Sequence, residues 1–154
     1  LTAMANYINN YSNPVVGDSL FFAEMEKYVQ SQHHRGLPYI GEYLDETTGY
    51  WLKGDQERSR YYNHSTFNDL IISSLVGLRP HADGTVEVRP LIPEEKWAWF
   101  CLDGVSYHGH NLTIVWDRDG SRYHAGKGLS VYVDGKLRAR TGSLQRIVIN
   151  KIAD

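Results

Sequence analysis

A single cysteine among 154 residues excludes two classes of protein at once. Cys101 has no partner for an internal disulfide, and no cysteine-based zinc site can be built from it. It leaves the cellular compartment open. No apolar run approaches the roughly 20 residues that a membrane-spanning helix needs. An excess of charge of one sign is also missing. The formal net charge is -2, which gives neither nucleic acid nor an anionic membrane an electrostatic hold. Internal repeats and low-complexity segments are absent. So are a phosphate-cradling glycine loop, a G-x-S-x-G elbow, an H-E-x-x-H pair and a calcium-binding EF-hand loop. No cofactor and no metal centre are implied.

What is present is a globular composition, 42% hydrophobic and 22% charged, long enough for one sizeable core or two small ones. It is tilted toward 11 Tyr, 4 Trp and 7 His. Aromatics with a polar edge suit a sugar-binding surface, and they serve equally as core material. Cys101, inside "WAWFCL", reads as a small buried hydrophobe. The chain begins at Leu1 within a helix-like pattern, without an initiator Met or a signal peptide, and so reads as a piece of a longer polypeptide.

The hydrophobic period changes near Leu78. Before it, Met4, Tyr7, Ile8 and Tyr11 form a helical stripe that stops at Asn13 and Pro14. Asp18 or Ser19 caps a second helix with Phe21, Phe22, Met25, Tyr28 and Val29 on its apolar face. His33, His34 and Arg35 fall in its last turn, and Gly36 ends it. A third helix opens at Ser65 or Thr66 and runs to Leu78, burying Phe67, Leu70, Ile71, Ser74 and Leu75. After Leu78 the period is two. "TVEVRPLI", "WAWFCL", "NLTIVWD", "LSVYV" and "RIVIN" read as strands, and "DG" at Asp134 and Gly135 marks a hairpin. Alternation in "WAWFCL" places Trp97 and Trp99 beside Cys101 on one face, which predicts a core face. The expected fold is α+β, with helices over 1–78 followed by an antiparallel β-sandwich over 79–154.

Between the second and third helices lies a connection from about Leu37 to His64, rich in Tyr39, Tyr43, Tyr50, Trp51, Tyr61 and Tyr62. A loop of that length in a compact chain is functional or disordered, and its aromatics argue against disorder. It holds Glu42 between Gly41 and Tyr43. A carboxylate fixed in a partly enclosed site can act as a general base. Asp45 and Glu46 belong to the turn "DETTG". His64, just ahead of a helix N-terminus, either meets a substrate group or packs against the loop. His108 and His110 in "YHGH" lack a third ligand, and Gly109 indicates a bend, so they read as structural.

Three runs, "YIGEYLDETTGYWL", "RYYNHSTFNDLIISSLVGLRP" and "VEVRPLIPEEKWAWFCLDGVSYHGHNLTIVWD", occur in the order found at the C-terminal end of six-hairpin glycoside hydrolases, which the chain resembles. The nearest group is similar to the processing α-glucosidases and mannosylglycerate-hydrolase-like enzymes, with a C-terminal sandwich like that of the α-L-rhamnosidases. The resemblance implies that 1–78 are the last helices and active-site loop of an (α/α)6 barrel. It implies that Glu42, in the E-Y-x-D-x-x-T-G pattern with Tyr43, Asp45, Thr48 and Gly49, is the general base of an inverting glycosidase. Tyr39, Tyr43, Trp51, Tyr62, Asn63 and His64 would contact the carbohydrate substrate. The general acid would come from earlier in the barrel; the resemblance gives that role to neither Asp45 nor Asp55. The piece alone is then expected to be inactive, with its helices covered by the remainder of the barrel or by another chain. The alternative is a non-catalytic carbohydrate-binding or structural sandwich contacting sugar through Trp97, Trp99 and Trp116, with tryptophan burial as the discriminator.

Overall fold

The computed structural model describes residues 1–12, 15–52, 56–62 and 65–152. Helix α1 (Thr2–Asn10) buries Ala5 and Ile8, and α2 (Asp18–Ser31) buries Phe21, Phe22 and Met25. Helix α2 stops at Ser31, short of the expected histidines. His33–His34 (β1) pairs instead with Leu37–Pro38 (β2). Arg35 and Gly36 both have positive φ, the two-residue turn whose twist matches that of hairpin strands. The expected helix end is therefore a hairpin. A glycine after a helical pattern signals either outcome, and only pairing with Leu37 and Pro38 separates them.

After a 3-10 turn at Glu57–Ser59, α3 (Ser65–Leu70) continues into a π-helical stretch, Ile71–Leu75. There Val76 N–H bonds Ile71 O at 2.9 Å and Gly77 N–H bonds Ile72 O at 3.1 Å. The third helix thus widens and ends before Leu78, which lies in a strand. Gly77 makes this possible: its φ is +84°, and a Cβ there would lie 1.9 Å from Arg89 O.

Strands β3 (Leu78–Arg79), β4 (Val86–Val88) and β9 (Ile147–Ile149) form an antiparallel sheet in the order β3-β4-β9. Strands β5 (Trp99–Tyr107), β6 (His110–Asp117), β7 (Gly128–Val133) and β8 (Lys136–Thr141) form the second, in chain order. Two-residue turns at His108–Gly109 and Asp134–Gly135, all at positive φ, close two of its hairpins. The "YHGH" bend is thus a hairpin turn. His108 Nε2 meets His81 O at 2.8 Å, and His110 Nδ1 meets Asp134 Oδ2 at 2.7 Å. No cluster of three metal-ligating side chains exists among the described residues.

Both sheets turn Val86, Val88, Leu112, Ile114, Trp116, Leu129 and Val131 inward, and Phe21, Phe22 and Met25 join the same buried cluster. One core therefore serves helices and strands. The face expected of β5 is reversed. Phe100 is buried opposite Trp116, whereas Trp97, Trp99 and Cys101 are exposed. "WAWFCL" is apolar on both faces, so alternation alone cannot choose. Register against β6 decides, because Phe100 pairs with fully buried Trp116.

One carboxylate fastens the three-stranded sheet. Glu87 is 2% exposed on its outer side. Its Oε1 accepts from Arg79 at 2.9 Å and from Arg146 at 2.8 Å, and its Oε2 meets His81 Nε2 at 2.8 Å. Burial alone would raise its pKa. The bonds from Arg146 and His81 and the charges of Arg79 and Arg146 win, lowering it from 4.5 to about 2. Arg79 also reaches Asn10 Oδ1 at 3.4 Å, and Arg89 donates to Ile8 O at 2.9 Å, so two guanidiniums hold the end of α1.

A carboxylate with a depressed pKa stabilises the fold above its unfolded pKa and loses that contribution as pH falls through the folded one. Glu87→Gln should destabilise the chain at pH 7 by about 2–3 kcal/mol, the lower part of the range because the cations stay partly solvated. In urea unfolding, the gap between wild type and variant should close between pH 4.5 and about 2. A gap independent of pH would contradict this.

Candidate functional site

The aromatic connection has a framework of its own. Gly41 bridges to Arg60, and Leu44 bridges to Trp51. Asp45 N–H bonds Tyr50 O at 2.9 Å and Leu52 N–H bonds Tyr43 O at 3.1 Å, which makes a short hairpin of the segment after Glu42. Its tip is organised by Asp45, whose Oδ1 accepts from Thr47 N–H at 3.0 Å and from Thr48 N–H and hydroxyl at 2.7 and 2.9 Å. Those bonds, from Thr48 first, hold the Asp45 carboxyl below its ordinary range. A general acid needs a raised pKa. Asp45 is therefore a turn residue, and Asp55 lies outside the described residues.

Trp51 pins this hairpin from beneath. It is 5% exposed, and its Nε1–H donates to His33 O in β1 at 2.8 Å. Tyr39 meets it edge-on at 5.2 Å. His34 stands 5.2 Å from the Tyr39 ring, and its Nδ1 is hydrogen-bonded to the Tyr50 hydroxyl at 2.9 Å. The strand that replaced the expected helix end is thus the anchor of the loop. Gly41 lies against the same rings: a Cβ there would sit 2.5 Å from Tyr39 Cε1 and 2.9 Å from Trp51 Cε3. The glycine ahead of Glu42 is a packing requirement.

Glu42 follows directly and is half-buried. The Tyr43 hydroxyl donates to its carboxylate, which, ahead of the other influences, pushes the Tyr43 phenol up. Arg58 and Tyr62 act on the same phenol through space. The Gly41–Arg60 bridge and the bond from Tyr61 N–H to Ile40 O at 2.9 Å carry them there. Residues distant in sequence, Glu42, Tyr43, Arg58 and Tyr62, therefore share one surface. Tyr43 and Tyr62 are 41% and 51% exposed, Tyr39 is half-buried and Trp51 is buried. Asn63 and His64 lie outside the described residues. Arg58 was not anticipated, since nothing in its spacing marks it. The part played by His33 and His34 was hidden by the helical reading of that stretch.

Two family profiles match the chain. Residues 1–65 match the mannosylglycerate hydrolase MGH1-like glycoside hydrolase domain, and residues 78–137 match the C-terminal domain of glycosyl hydrolase family 65. Among solved structures, one described as a sialidase is 64% identical over 99% of this chain, with a TM-score of 0.94. This chain spans 14% of that protein's length. A glycoside hydrolase domain first and a glycosidase C-terminal domain second is the order that the motifs implied, and the resemblance holds, with family 65 as the match to the second part.

Gly41→Ala should loosen the Glu42 hairpin while leaving the two sheets intact. Hydrogen exchange read by mass spectrometry should show faster exchange over 43–52 and no change over 110–133. Unchanged protection of 43–52 would mean that the Tyr39 and Trp51 rings do not fix this loop.

Proposed function

We propose that Glu42 is the general base of an inverting glycoside hydrolase, and that this chain supplies the base-bearing wall of a sugar pocket completed by sequence outside it. The observation that carries this reading is the half-buried Glu42 carboxylate, oriented by the Tyr43 hydroxyl on a loop pinned through Trp51, within the segment that matches a glycoside hydrolase domain. The relative described as a sialidase also carries a glycosidase's name, which supports the same class of reaction, hydrolysis of an O-glycosidic bond in a carbohydrate.

In this reading Glu42 removes a proton from a water as that water attacks the anomeric carbon, on the face opposite the leaving group. Tyr43 and Tyr62 present exposed ring faces to sugar C–H groups, and Tyr39 a half-buried one. Trp51 serves the site from beneath by holding Glu42 in place. Asn63 and His64, next along the chain from Tyr62, bond substrate hydroxyls. The general acid comes from outside this chain, because Asp45 is committed to its turn, so the 154-residue chain alone is inactive.

Residues 1–78 then belong to the barrel and 79–154 to the sandwich that follows it. The rest of the barrel covers the groove of about 330 Å³ between α2 and α3, lined by Met25, Val29, Phe67, Ile71 and Trp97. Val29 and Ile71 are 50% and 37% exposed there, as expected of helix faces that pack against further helices.

The test uses the full-length enzyme. Glu42→Gln keeps the shape but cannot accept a proton, so kcat should fall by about 10²–10⁴-fold with KM nearly unchanged. Glu46→Gln should change little. His64→Ala should raise KM at least as much as it lowers kcat, as expected for a contact made in both ground and transition states. A Glu42→Gln enzyme with wild-type turnover overturns the assignment.

A further inference from the structure

Trp97 and Trp99 are the two large aromatics that the sandwich leaves in solvent, at 38% and 48% exposure. Their surroundings are built rather than accidental. Trp116, fully buried, donates its Nε1–H to Trp97 O at 2.9 Å and fixes the backbone that presents both indoles. Asp117 is 1% exposed, and its carboxylate accepts from the backbone N–H groups of Gly120, Arg122 and Tyr123 at 3.0, 3.0 and 2.8 Å. A buried carboxylate spent on three backbone donors gives the 118–123 loop one conformation. That loop carries Arg122, whose guanidinium stacks 4.4 Å over the Trp99 ring, and Tyr123, which meets the ring edge-on at 6.3 Å. Beside Trp99 and Tyr123 lies an open cavity of about 520 Å³, lined also by Lys96, Trp97 and Cys101.

We propose that this end of the four-stranded sheet is a second, non-catalytic saccharide site, with Trp99 as its stacking platform and Arg122 and Tyr123 around it. The proposal does not rest on the role of Glu42. The chemistry is that of a ring with one apolar face and a polar perimeter. The free face of the Trp99 indole takes the axial C–H groups of a pyranose, Arg122 backs the ring from its other face, and the Tyr123 hydroxyl reaches an equatorial hydroxyl. The volume falls in the range of about 300–1,000 Å³ typical of small-ligand sites. A protein partner is the weaker fit. The aromatic strip occupies one end of one strand and the turn before it, whereas a stable protein interface needs about 1,000 Å² or more.

The four tryptophans make the test direct, because Trp51 and Trp116 are buried and Trp97 and Trp99 are not. Acrylamide quenching of the 154-residue chain is followed with maltohexaose, mannohexaose and a hexameric uronate, each paired with affinity electrophoresis. At least one oligosaccharide should shield the exposed fluorescence and retard the chain. Trp99→Ala should weaken binding by about tenfold or more, as expected for removing an aromatic anchor. Trp99→Phe should retain part of it. Unaltered near-ultraviolet circular dichroism in the variants would place the loss at the surface. The proposal is overturned if none of the three saccharides binds or if binding survives Trp99→Ala. It is equally overturned if Trp99→Ala abolishes a concentration-dependent self-association instead, which would make this face a contact between copies.

Discussion

Glu87 is one carboxylate with three cationic or hydrogen-bonding partners, and the placement of the rest follows from it. Arg79 on β3 and Arg146 just before β9 converge on it from both sides of β4, with His81 closing the remaining oxygen. That outer-face cluster lets a three-stranded sheet of very short strands stand against the four-stranded one. Arg79 and Arg89 then reach the last turn of α1, at Asn10 and at the Ile8 carbonyl. Through the shared core α1 seats α2, whose end runs into the β1–β2 hairpin. The His33 carbonyl of that hairpin receives the Trp51 indole, on which Gly41 and then Glu42 rest. Between a structural carboxylate and a proposed catalytic one, the links are hydrogen bonds, core packing, chain continuity and ring contacts.

The two carboxylates sit in different surroundings. Glu87 is buried and surrounded by cations, which fixes it in the ionised state and removes it from proton transfer at neutral pH. Glu42 has no such cluster among its described partners. Its neighbour is a phenol that can donate to it without neutralising it. A group placed to accept a proton reversibly needs orientation more than stabilisation. Asp45 shows the contrast within the same loop, since three donors from Thr47 and Thr48 commit it to a turn.

The sequence carried the α+β division, the strand set after Leu78, the Asp134–Gly135 hairpin and the loop that holds Glu42. These features rest on local periodicity and turn chemistry, which a single chain displays openly. What it concealed depends on partners. Phe100 or Trp99 could equally have faced the core until the pairing with Trp116 settled it. His33 and His34 fitted a helix end until Leu37 and Pro38 paired with them. The buried role of Trp51 and the approach of Arg58 and Tyr62 to Tyr43 arise from bridges between segments about twenty residues apart, which spacing does not encode. Asn63, legible only through the family motif, and His64, marked also by its place ahead of a helix, lie outside the described residues.

Chemical rescue tests most directly whether Glu42 is the base. In the full-length enzyme Glu42→Ala removes the proton acceptor, and azide is a nucleophile that needs none. The account predicts that azide restores turnover of an aryl glycoside and that NMR shows a glycosyl azide of inverted anomeric configuration, as in-line displacement requires. A glycosyl azide of retained configuration, or full hydrolysis by the variant in water alone, would contradict it.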